Sequence, residues 1–551
     1  MIKTLRHTWK VLSAAERKKF AWLTAGDTLI SLLDILSLAM LLWVIQFYVQ
    51  PSASGYYSLL PSWMADSHSI GLIAVFFLFF GLKSLAGIWV ARQQFRFLAT
   101  VAVRVSENKL SQYQQMPFDE YVSTDSSQFI RKIALQPFEF CQHLLAGFQQ
   151  VITQTVLITV SIAAILAFNA RLFFFLLLML LPPILLIFYI LRKKLAASRE
   201  QLQERNERSY QHLLDALKGY VEGNVFGRNL FFRERFIRQR KAFSKHLFES
   251  LSLQQLPGRV IEMFAILGLF LLIGISIGAN KGATGAFLTI GAFMAAAYKI
   301  IPGIVKIINI NSQLRAYEWS LPETEPESRS SAAPVTGIDQ LEVRNLHFRF
   351  PDKKILHSLS FSAHRGELVG ISGISGRGKT TLFNILLGFL SPHEGAILFN
   401  KKEVVLKDIA SYWPHISYVK QQPFFLHDSL ARNITLEEKT QRASALSDAI
   451  SGSGVSAILH QFPEADQLLI AENGRNISGG QQQRVAIARA LYKPADLYLL
   501  DEPFNELDPA AINEILDHLR TLARSGKIVL LITHDQHCLS RCDKIVSLDV
   551  S

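Results

Sequence analysis

The sequence predicts a chain of two domains, an α-helical membrane domain followed by a soluble α/β domain. Half of the 551 residues are hydrophobic (50%), and the long apolar runs are confined to residues 1–310. The remainder carries a glycine-rich motif typical of phosphate binding, and a polar segment rich in Pro, Ser and Glu separates the two parts. We therefore assign residues 1–319 to the membrane domain, 320–339 to a linker and 340–551 to the soluble domain.

Six stretches are long and apolar enough to cross a bilayer, which requires about 20 residues per helix. They lie at 22–48, 71–91, 149–168, 172–191, 259–279 and 286–309. The second and fourth connections between these stretches are long, polar and helical in pattern. We expect the membrane helices to continue into these connections, with short transverse helices at their turns near 124–131 and 222–229.

The distribution of Lys and Arg predicts the orientation in the membrane. The net charge is +12, and no nucleic-acid-binding motif accompanies it. The first connection, 50–70, contains neither Lys nor Arg, whereas the N-terminal segment and the connections 92–148 and 192–258 are basic. Because positively charged connections stay on the cytoplasmic side, we expect a multi-pass protein of the cytoplasmic (inner) membrane with both termini and the soluble domain inside.

The soluble domain contains a phosphate-binding loop at Gly373–Thr380, with the pattern G-x-x-x-x-G-K-[ST]. A predicted strand precedes the loop and a predicted helix follows it, so backbone N–H groups and the helix N-terminus can wrap a polyphosphate. Lys379 is expected to reach the terminal phosphates and the Thr380 hydroxyl to ligate Mg²⁺. The residues expected to hold the nucleotide here are Gly373, Ser375, Gly376, Gly378, Lys379, Thr380 and Thr381.

A second motif places two carboxylates at the end of an apolar strand, Leu497–Glu502. In a phosphoryl-transfer site Asp501 would bind Mg²⁺ and Glu502 would act on the attacking water. A strand followed by an acidic turn is the alternative when the motif stands alone. The phosphate-binding loop upstream favours the catalytic interpretation.

A third motif, Ile477–Gln481, places a serine and two glycines at the predicted N-terminus of a helix. This segment can bind a second polyphosphate through its backbone, and we call it the second cradle. A single monomer has little use for two separate polyphosphate-binding segments. Two chains arranged head to tail can press the cradle of one against the nucleotide on the other. The residues expected to form this cradle are Ser478, Gly479, Gly480 and Gln481.

With these motifs in this order, residues 340–550 resemble an ATP-binding cassette, and the whole chain resembles a half-size ABC exporter. The resemblance implies that Phe350 stacks on adenine and that Gln421 contacts Mg²⁺ and the attacking water. It also implies that Asp508 belongs to a nucleotide-contacting loop, 505–508, and that His534 lies near the γ-phosphate. The implied cofactors are ATP and Mg²⁺, and the implied catalytic residues are Glu502, His534 and Gln421.

The chain departs from the family pattern at a few positions. Arg377 stands where a small residue is usual, and Lys420 and Ile477 replace a usual Pro and Leu. None of these changes removes a catalytic group. The sequence ends at Ser551, so we expect dimer contacts or regulation built on a longer tail to be missing.

The resemblance implies ATP-driven export or flipping by alternating access, most simply in a homodimer with membrane lipids around it. One half of a heterodimer remains an alternative. The fused order argues against an importer, which usually keeps its ATPase on a separate chain. The predicted membrane helices argue against a soluble-type ABC ATPase, and a channel usually carries additional domains. The segment 297–307 is weakly similar to the sixth helix of flippases for lipid-linked oligosaccharides. A lipid-linked glycan, a lipid and a small peptide are all retained as cargo, with an amphipathic or anionic substrate favoured.

Charged residues inside the predicted spans form a separate group. Asp34, Lys83 and Lys299 lie near the middle of the first, second and sixth spans. An ionised group facing lipid at that depth costs at least about 2.5–3.5 kcal/mol, so each should pair or line a wet cavity. Two interpretations stay open. One is structural, an ion pair or a helix shifted so that the charge reaches the membrane interface. The other is a cargo cavity in which Lys83 and Lys299 bind an anionic group.

Overall fold

The computed structural model describes residues 2–49, 70–168, 170–278, 300–315, 317–322, 337–351, 353–374, 376–459 and 468–549. The chain divides into two compact units, one formed by Met1–Met116 with Tyr121–Pro326 and the other by Pro117–Glu120 with Glu327–Ser551. Most of the predicted linker, the predicted loop 50–70 except its last residue, and Lys299 lie outside the described residues.

The first unit is helical, and one of its helices, Phe118–Ser123, begins in the segment Pro117–Glu120 that belongs to the second unit. Its α-helices, numbered α1 to α11 in chain order, are Ile2–Val11, Ala14–Val49, Gly71–Gln114, Phe118–Ser123, Ser126–Ile130, Gln136–Glu139, Ala146–Phe168, Ala170–Lys218, Tyr220–Val225, Asn229–Gly278 and a helix over 300–315. Two π-helical segments, Arg131–Leu135 and Phe140–Leu145, join α5, α6 and α7 into one nearly continuous rod. A buried cluster that includes Phe97 of α3, Leu144 of the second π-helical segment and Leu314 of α11 packs this rod against α3 and α11.

The membrane helices continue far beyond a bilayer's thickness, as the polar connections predict. Helix α3 has 44 residues and α8 has 49, whereas about 20 suffice to cross. At the second turn, the short helix α9 (Tyr220–Val225) begins two residues before the predicted segment 222–229, and residue 229 already belongs to α10. At the first turn, the predicted segment 124–131 corresponds to the short helix α5 (Ser126–Ile130).

Within the described residues, three helical stretches are long and apolar enough to cross a membrane: Ala14–Ser37, Gly71–Gln114 and Ser126–Leu166. They overlap the first three predicted spans, 22–48, 71–91 and 149–168, but have different ends. Large apolar side chains such as Phe77, Leu85 and Phe95 project from α3 and are more than 60% exposed. In a membrane, lipid chains cover an apolar face of this extent and keep it from water. The fourth and fifth predicted spans lie inside α8 and α10, and the sixth lies partly outside the described residues.

The charged residues of the first two spans form an ion pair. Lys83 Nζ on α3 lies 2.6 Å from Asp34 Oδ1 on α2, and 3.3 Å from the Ser37 hydroxyl. The ammonium also lies 4.1 Å from the centre of the Phe80 ring. The Lys83 side chain is 6% exposed, so its charge is compensated by these neighbours rather than by water. This geometry favours the structural interpretation for Asp34 and Lys83, while Lys299 lies outside the described residues.

We expect Lys83→Met to destabilise the protein, because the Asp34 carboxylate loses its partner inside the membrane. The cost should approach about 2.5–3.5 kcal/mol, the penalty for an unpaired charge at this depth. Thermal melting and folded yield of the purified variant measure it. Lys83→Met combined with Asp34→Leu should recover most of the loss, and Lys306→Met, on the exposed side of α11, is the matched control. A Lys83→Met variant that melts like the wild type would rule out a stabilising pair.

The second unit contains an antiparallel sheet and a parallel sheet. Its strands, numbered β1 to β11, are Gln340–Phe350, Lys353–His364, Leu368–Ser372, Glu394–Phe399, Lys402–Glu403, Ile416–Val419, Asp428–Ser429, Leu469–Ile470, Leu497–Asp501, Ile528–Ile532 and Lys544–Ser547. The antiparallel sheet has the order β2-β1-β4-β5 and the parallel sheet the order β11-β3-β10-β9-β6. All residues of β9 and β10 are buried, as expected for parallel strands covered on both faces.

The helices of this unit, α12 to α19, are Lys379–Leu386, Leu406–Ile409, Leu430–Thr435, Ala443–Gly452, Ser456–Leu459, Gly479–Tyr492, Pro509–Arg524 and Gln536–Ser540. Strand β10 lies between β3 and β9, and all three are parallel. Their carboxyl ends therefore meet at one edge of the sheet, which is where α/β proteins bind ligands. The phosphate-binding loop, the carboxylate pair and His534 follow these three ends.

Candidate active site

The phosphate-binding loop has the backbone conformation that its glycines predict. Gly376 and Gly378 have φ values of +81° and +90°, a region that favours glycine. A Cβ on Gly378 would also collide with Ile355 of β2. Gly378 caps α12, so Lys379, Thr380 and Thr381 fill its first turn, where N–H groups lack helical partners. The loop therefore offers unpaired donors to an anion, while Ser375 lies outside the described residues.

Lys379 connects the loop to the carboxylates. Its ammonium donates to the Gly373 carbonyl oxygen at 2.8 Å and lies 3.3 Å from Glu502 Oε1. The side chain is only 8% exposed. These contacts hold the ammonium at the mouth of the loop, within reach of a terminal phosphate.

Asp501 ends β9 and is almost fully buried. Burial raises the pKa of its carboxyl to about 6, and the Glu502 charge adds to this, while a hydrogen bond with Thr380 opposes it. Asp501 Oδ2 is buried and has no hydrogen-bond partner among the residues that the structure describes. A buried carboxylate oxygen without a hydrogen-bond partner, beside the Thr380 hydroxyl, is the kind of hard oxygen ligand that Mg²⁺ prefers.

Glu502 is held by three side chains from different segments. Gln421 Nε2 donates to its Oε2 at 3.0 Å, and Asn505 Nδ2 donates to the same oxygen at 2.8 Å. Lys379 approaches the other oxygen. The backbone has φ = +49°, an unusual conformation for a residue with a side chain, and its N–H donates to Ile532 of β10. Such strain at a residue fixed on several sides is a frequent feature of functional sites.

The pKa of Glu502 lies below its ordinary value. Burial raises it, but the Asn505 hydrogen bond and the Lys379 charge together outweigh burial, and the His534 imidazole adds to them. The carboxylate is therefore ionised at neutral pH and can accept a proton. From the sequence, Asn505 was placed only in the nucleotide-contacting loop 505–508, and its contact with Glu502 was not predicted. Its position three residues after Glu502, inside a loop, was the only available signal.

His534 and Phe350 lie at the edges of this cluster. His534 directly follows Thr533, whose hydroxyl accepts the Asp535 N–H at 3.1 Å, and its side chain is exposed. Phe350 ends β1, pairs in register with Lys353 of β2 and is 45% exposed. Strand β2 also contributes Ile355, which touches the loop at Gly378. The β1–β2 hairpin thus borders the phosphate-binding loop and leaves an aromatic face open.

The second cradle forms the start of α17. The Ser478 hydroxyl accepts the Gln481 N–H at 3.3 Å, and the Gln481 side chain accepts the Ser478 N–H at 2.9 Å, which is a capping box. A Cβ on Gly479 would overlap the Glu506 carboxylate, and one on Gly480 would lie 2.6 Å from the Glu506 carbonyl oxygen. Only glycine fits at Gly480, because the backbone of the segment 505–508 lies against the first turn of α17, whereas a side chain at Gly479 would require the exposed Glu506 carboxylate to move.

Asp508 has a structural role in the single chain. Its carboxylate caps α18 by accepting the Ala511 N–H at 2.9 Å, and it lies 3.2 Å from Arg484 of α17.

Of the site residues predicted from the sequence, the structure brings Lys379, Thr380, Gln421, Asp501 and Glu502 together. Asp508 belongs with the second cradle instead.

Comparison with known proteins agrees with this geometry. A family model described as ABC transporter matches residues 356–505. An ATP-dependent lipid A-core flippase of Bordetella avium is 32% identical over 296 residues, covering 50% of this chain and 49% of the relative. A probable ABC transporter ATP-binding/permease protein of Haemophilus influenzae is 27% identical over 366 residues, 64% of each chain. The chain thus spans less than two thirds of the length of these curated relatives.

The fold match extends over nearly the whole chain. The solved structure of a bacterial Atm1-family ABC exporter with ATP bound has a TM-score of 0.74 at 19% identity, covering 96% of this chain and 94% of that one. Fold and motifs together define the class as an ABC exporter fold, with a helical membrane domain and an ATP-binding cassette. In particular, these residues form one helical membrane-type domain followed by one domain of the cassette fold. The predicted fold class is confirmed.

Proposed function

We propose that this protein is an ATP-driven exporter or flippase that moves a lipid or lipid-linked glycan across the cytoplasmic membrane as a homodimer. The observation that carries the proposal is the convergence of Lys379, Asp501 and Glu502 at one sheet edge of a cassette fused to membrane-length helices. The full set of cassette motifs in one chain supports two equivalent ATP sites, each shared between two copies.

Each residue of the site has a separate role in ATP hydrolysis. Thr380, Gln421 and Asp501 would hold Mg²⁺, which when bound neutralises charge on the phosphates. Lys379 exchanges its contact with Glu502 for the terminal phosphate. Phe350 supports the adenine ring, and His534 lies beside Glu502 on the γ-phosphate side.

Glu502 then accepts a proton from the water that attacks the γ-phosphorus. The new bond joins the water oxygen to phosphorus, and the bond from phosphorus to the bridging oxygen of ADP breaks. Gln421 and Asn505 both donate to Oε2 of Glu502 and hold the carboxylate in place for this proton transfer. Positioning of this kind supplies most of the rate enhancement in phosphoryl transfer.

The charge distribution supports an orientation with the cassette in the cytoplasm. A single cysteine introduced into 50–70 should react with a membrane-impermeant maleimide in intact cells, because this segment lacks Lys and Arg. A cysteine introduced into 222–229 should react only after lysis. The background for both is a chain whose three native cysteines are replaced. The reverse labelling pattern would overturn the orientation.

Two observations favour a lipid as cargo. Relatives of this chain are named lipid A-core flippases, and Lys299, with Lys306, gives the sixth span two cations for an anionic head group. Mass spectrometry of lipids and small molecules that co-purify with a Glu502→Gln variant is the direct test. We expect an anionic lipid or glycolipid, enriched over the surrounding membrane and reduced in Lys299→Gln. A peptide in its place would replace the lipid assignment, and an unlike second chain would replace the homodimer.

A further inference from the structure

We propose that Arg377 of one chain and Glu506 of a second copy form an ion pair at each shared ATP site. The proposal rests on the head-to-tail arrangement of the proposed function and adds a contact that fixes how the two cassettes meet. Both residues belong to the second unit, and both are charged and exposed.

Arg377 lies on the solvent side of the phosphate-binding loop, between Gly376 and Gly378. Its side chain is 48% exposed, and its Nε lies 3.8 Å from Asp549 Oδ1, beyond hydrogen-bonding distance. The same Asp549 oxygen already accepts the Ile374 N–H at 3.2 Å. The guanidinium is therefore held weakly within its own chain, and its remaining donors can reach a stronger partner.

Glu506 lies on the second cradle. Its carboxylate covers Gly479, and its carbonyl oxygen faces Gly480. Among the residues that the structure describes, the carboxylate has neither a hydrogen bond nor an ion pair. An exposed anion thus stands beside the cradle that would receive a polyphosphate. Without a cation nearby, it would oppose the approach of the nucleotide.

Two-fold symmetry brings these groups together. In a head-to-tail dimer the loop of one chain faces the cradle of the other, and the contact occurs twice. Arg377 flanks the loop and Glu506 flanks the cradle, so opposite charges meet at both sites. The planar guanidinium can bind the carboxylate through two hydrogen bonds, which sets the register of the cassettes more tightly than a point charge would.

The test exchanges the two charges in the full-length protein and measures ATPase activity at limiting ATP. Arg377→Glu and Glu506→Arg each place like charges opposite one another. We expect each substitution to lower kcat/KM for ATP about tenfold, and this loss should be smaller at high salt because salt screens the repulsion. The variant carrying both substitutions restores opposite charges at both sites and should recover to within about threefold of the wild type.

A mixed dimer of one wild-type chain and one double-substituted chain identifies where the pair forms. If the pair is between chains, this dimer has like charges at both sites and loses activity, although both parent homodimers are active. Two affinity tags isolate it. Full activity of the mixed dimer would contradict the proposal, because the pair would then lie within one chain. A double variant no better than the single ones would also overturn it.

A disulfide cross-link tests the contact independently of activity, because Arg377→Glu can also damage the phosphate-binding loop directly. Chains carrying Arg377→Cys and chains carrying Glu506→Cys, both with Glu502→Gln, should form an inter-chain disulfide when a thiol oxidant such as copper phenanthroline is added in the presence of ATP. Its absence would contradict the pair. Complementation between Lys379→Ala and Ser478→Arg chains, run in parallel, separates the outcomes: if it succeeds while the charge exchange fails, only the ion pair is wrong. If it fails, the shared site itself is wrong.

Discussion

The Glu502→Gln variant should hydrolyse ATP about 10²–10⁴-fold more slowly than the wild type while still binding it. Glutamine keeps the length of the side chain and can retain the contacts of Glu502 with neighbouring amides, but it cannot accept a proton from water. The depressed pKa of Glu502 supports this role, because the group is ionised before water attacks. Steady-state release of phosphate and retention of labelled ATP after gel filtration measure the two properties.

The matched control is Glu514→Gln, on the exposed side of α18, which makes the same chemical change away from the site. It should hydrolyse ATP at the wild-type rate. If Glu502→Gln turns over at a similar rate, Glu502 is not the general base. The proton must then pass to another group or to the phosphate itself.

Lys379→Ala and Ser478→Arg should each abolish ATPase activity in homodimers, yet a mixed dimer of the two should regain up to about half of the wild-type rate. In that dimer one site combines both damaged elements. The other combines the intact loop of the Ser478→Arg chain with the intact cradle of the Lys379→Ala chain. Lys379 provides the buried ammonium of the loop, and Ser478 begins the helix that carries the cradle.

The control for the bulky substitution is Ser525→Arg at the carboxyl end of α18, which should remain active. Two affinity tags separate the mixed dimer from the homodimers. Complete inactivity of the mixed dimer, with normal melting of both chains, would show that the loop and the cradle do not act in trans.

Much of the fold could be predicted from the sequence because its signals are local. The length and polarity of 92–148 and 192–258 predicted helices that extend beyond the membrane, and α3 and α8 do so. The glycines of the loop predicted a backbone that can wrap a polyphosphate, and Gly376 and Gly378 have positive φ values, a region that favours glycine. The placement of carboxylates after an apolar strand predicted their position at the sheet edge.

Features that depend on long-range contacts were not available from the sequence. Asp34 and Lys83 are 49 positions apart, and only the packing of α2 on α3 shows that they pair. Asn505 binds Glu502 because the chain turns back between β9 and α18, which no local pattern specified. The proximity of Glu506 to Gly479 has the same origin, since residues nearly 30 positions apart meet through the fold.

The most direct test of the shared site is the structure of the full-length Glu502→Gln protein with ATP and Mg²⁺ in lipid nanodiscs. We predict a two-fold symmetric dimer with two nucleotides. Each should lie between the loop Gly373–Thr380 of one chain and the cradle Ser478–Gln481 of the other, with Asp501 facing the metal. Two nucleotides bound to cassettes that remain apart at saturating ATP, or a cradle that faces solvent while the nucleotide is bound, would contradict the account.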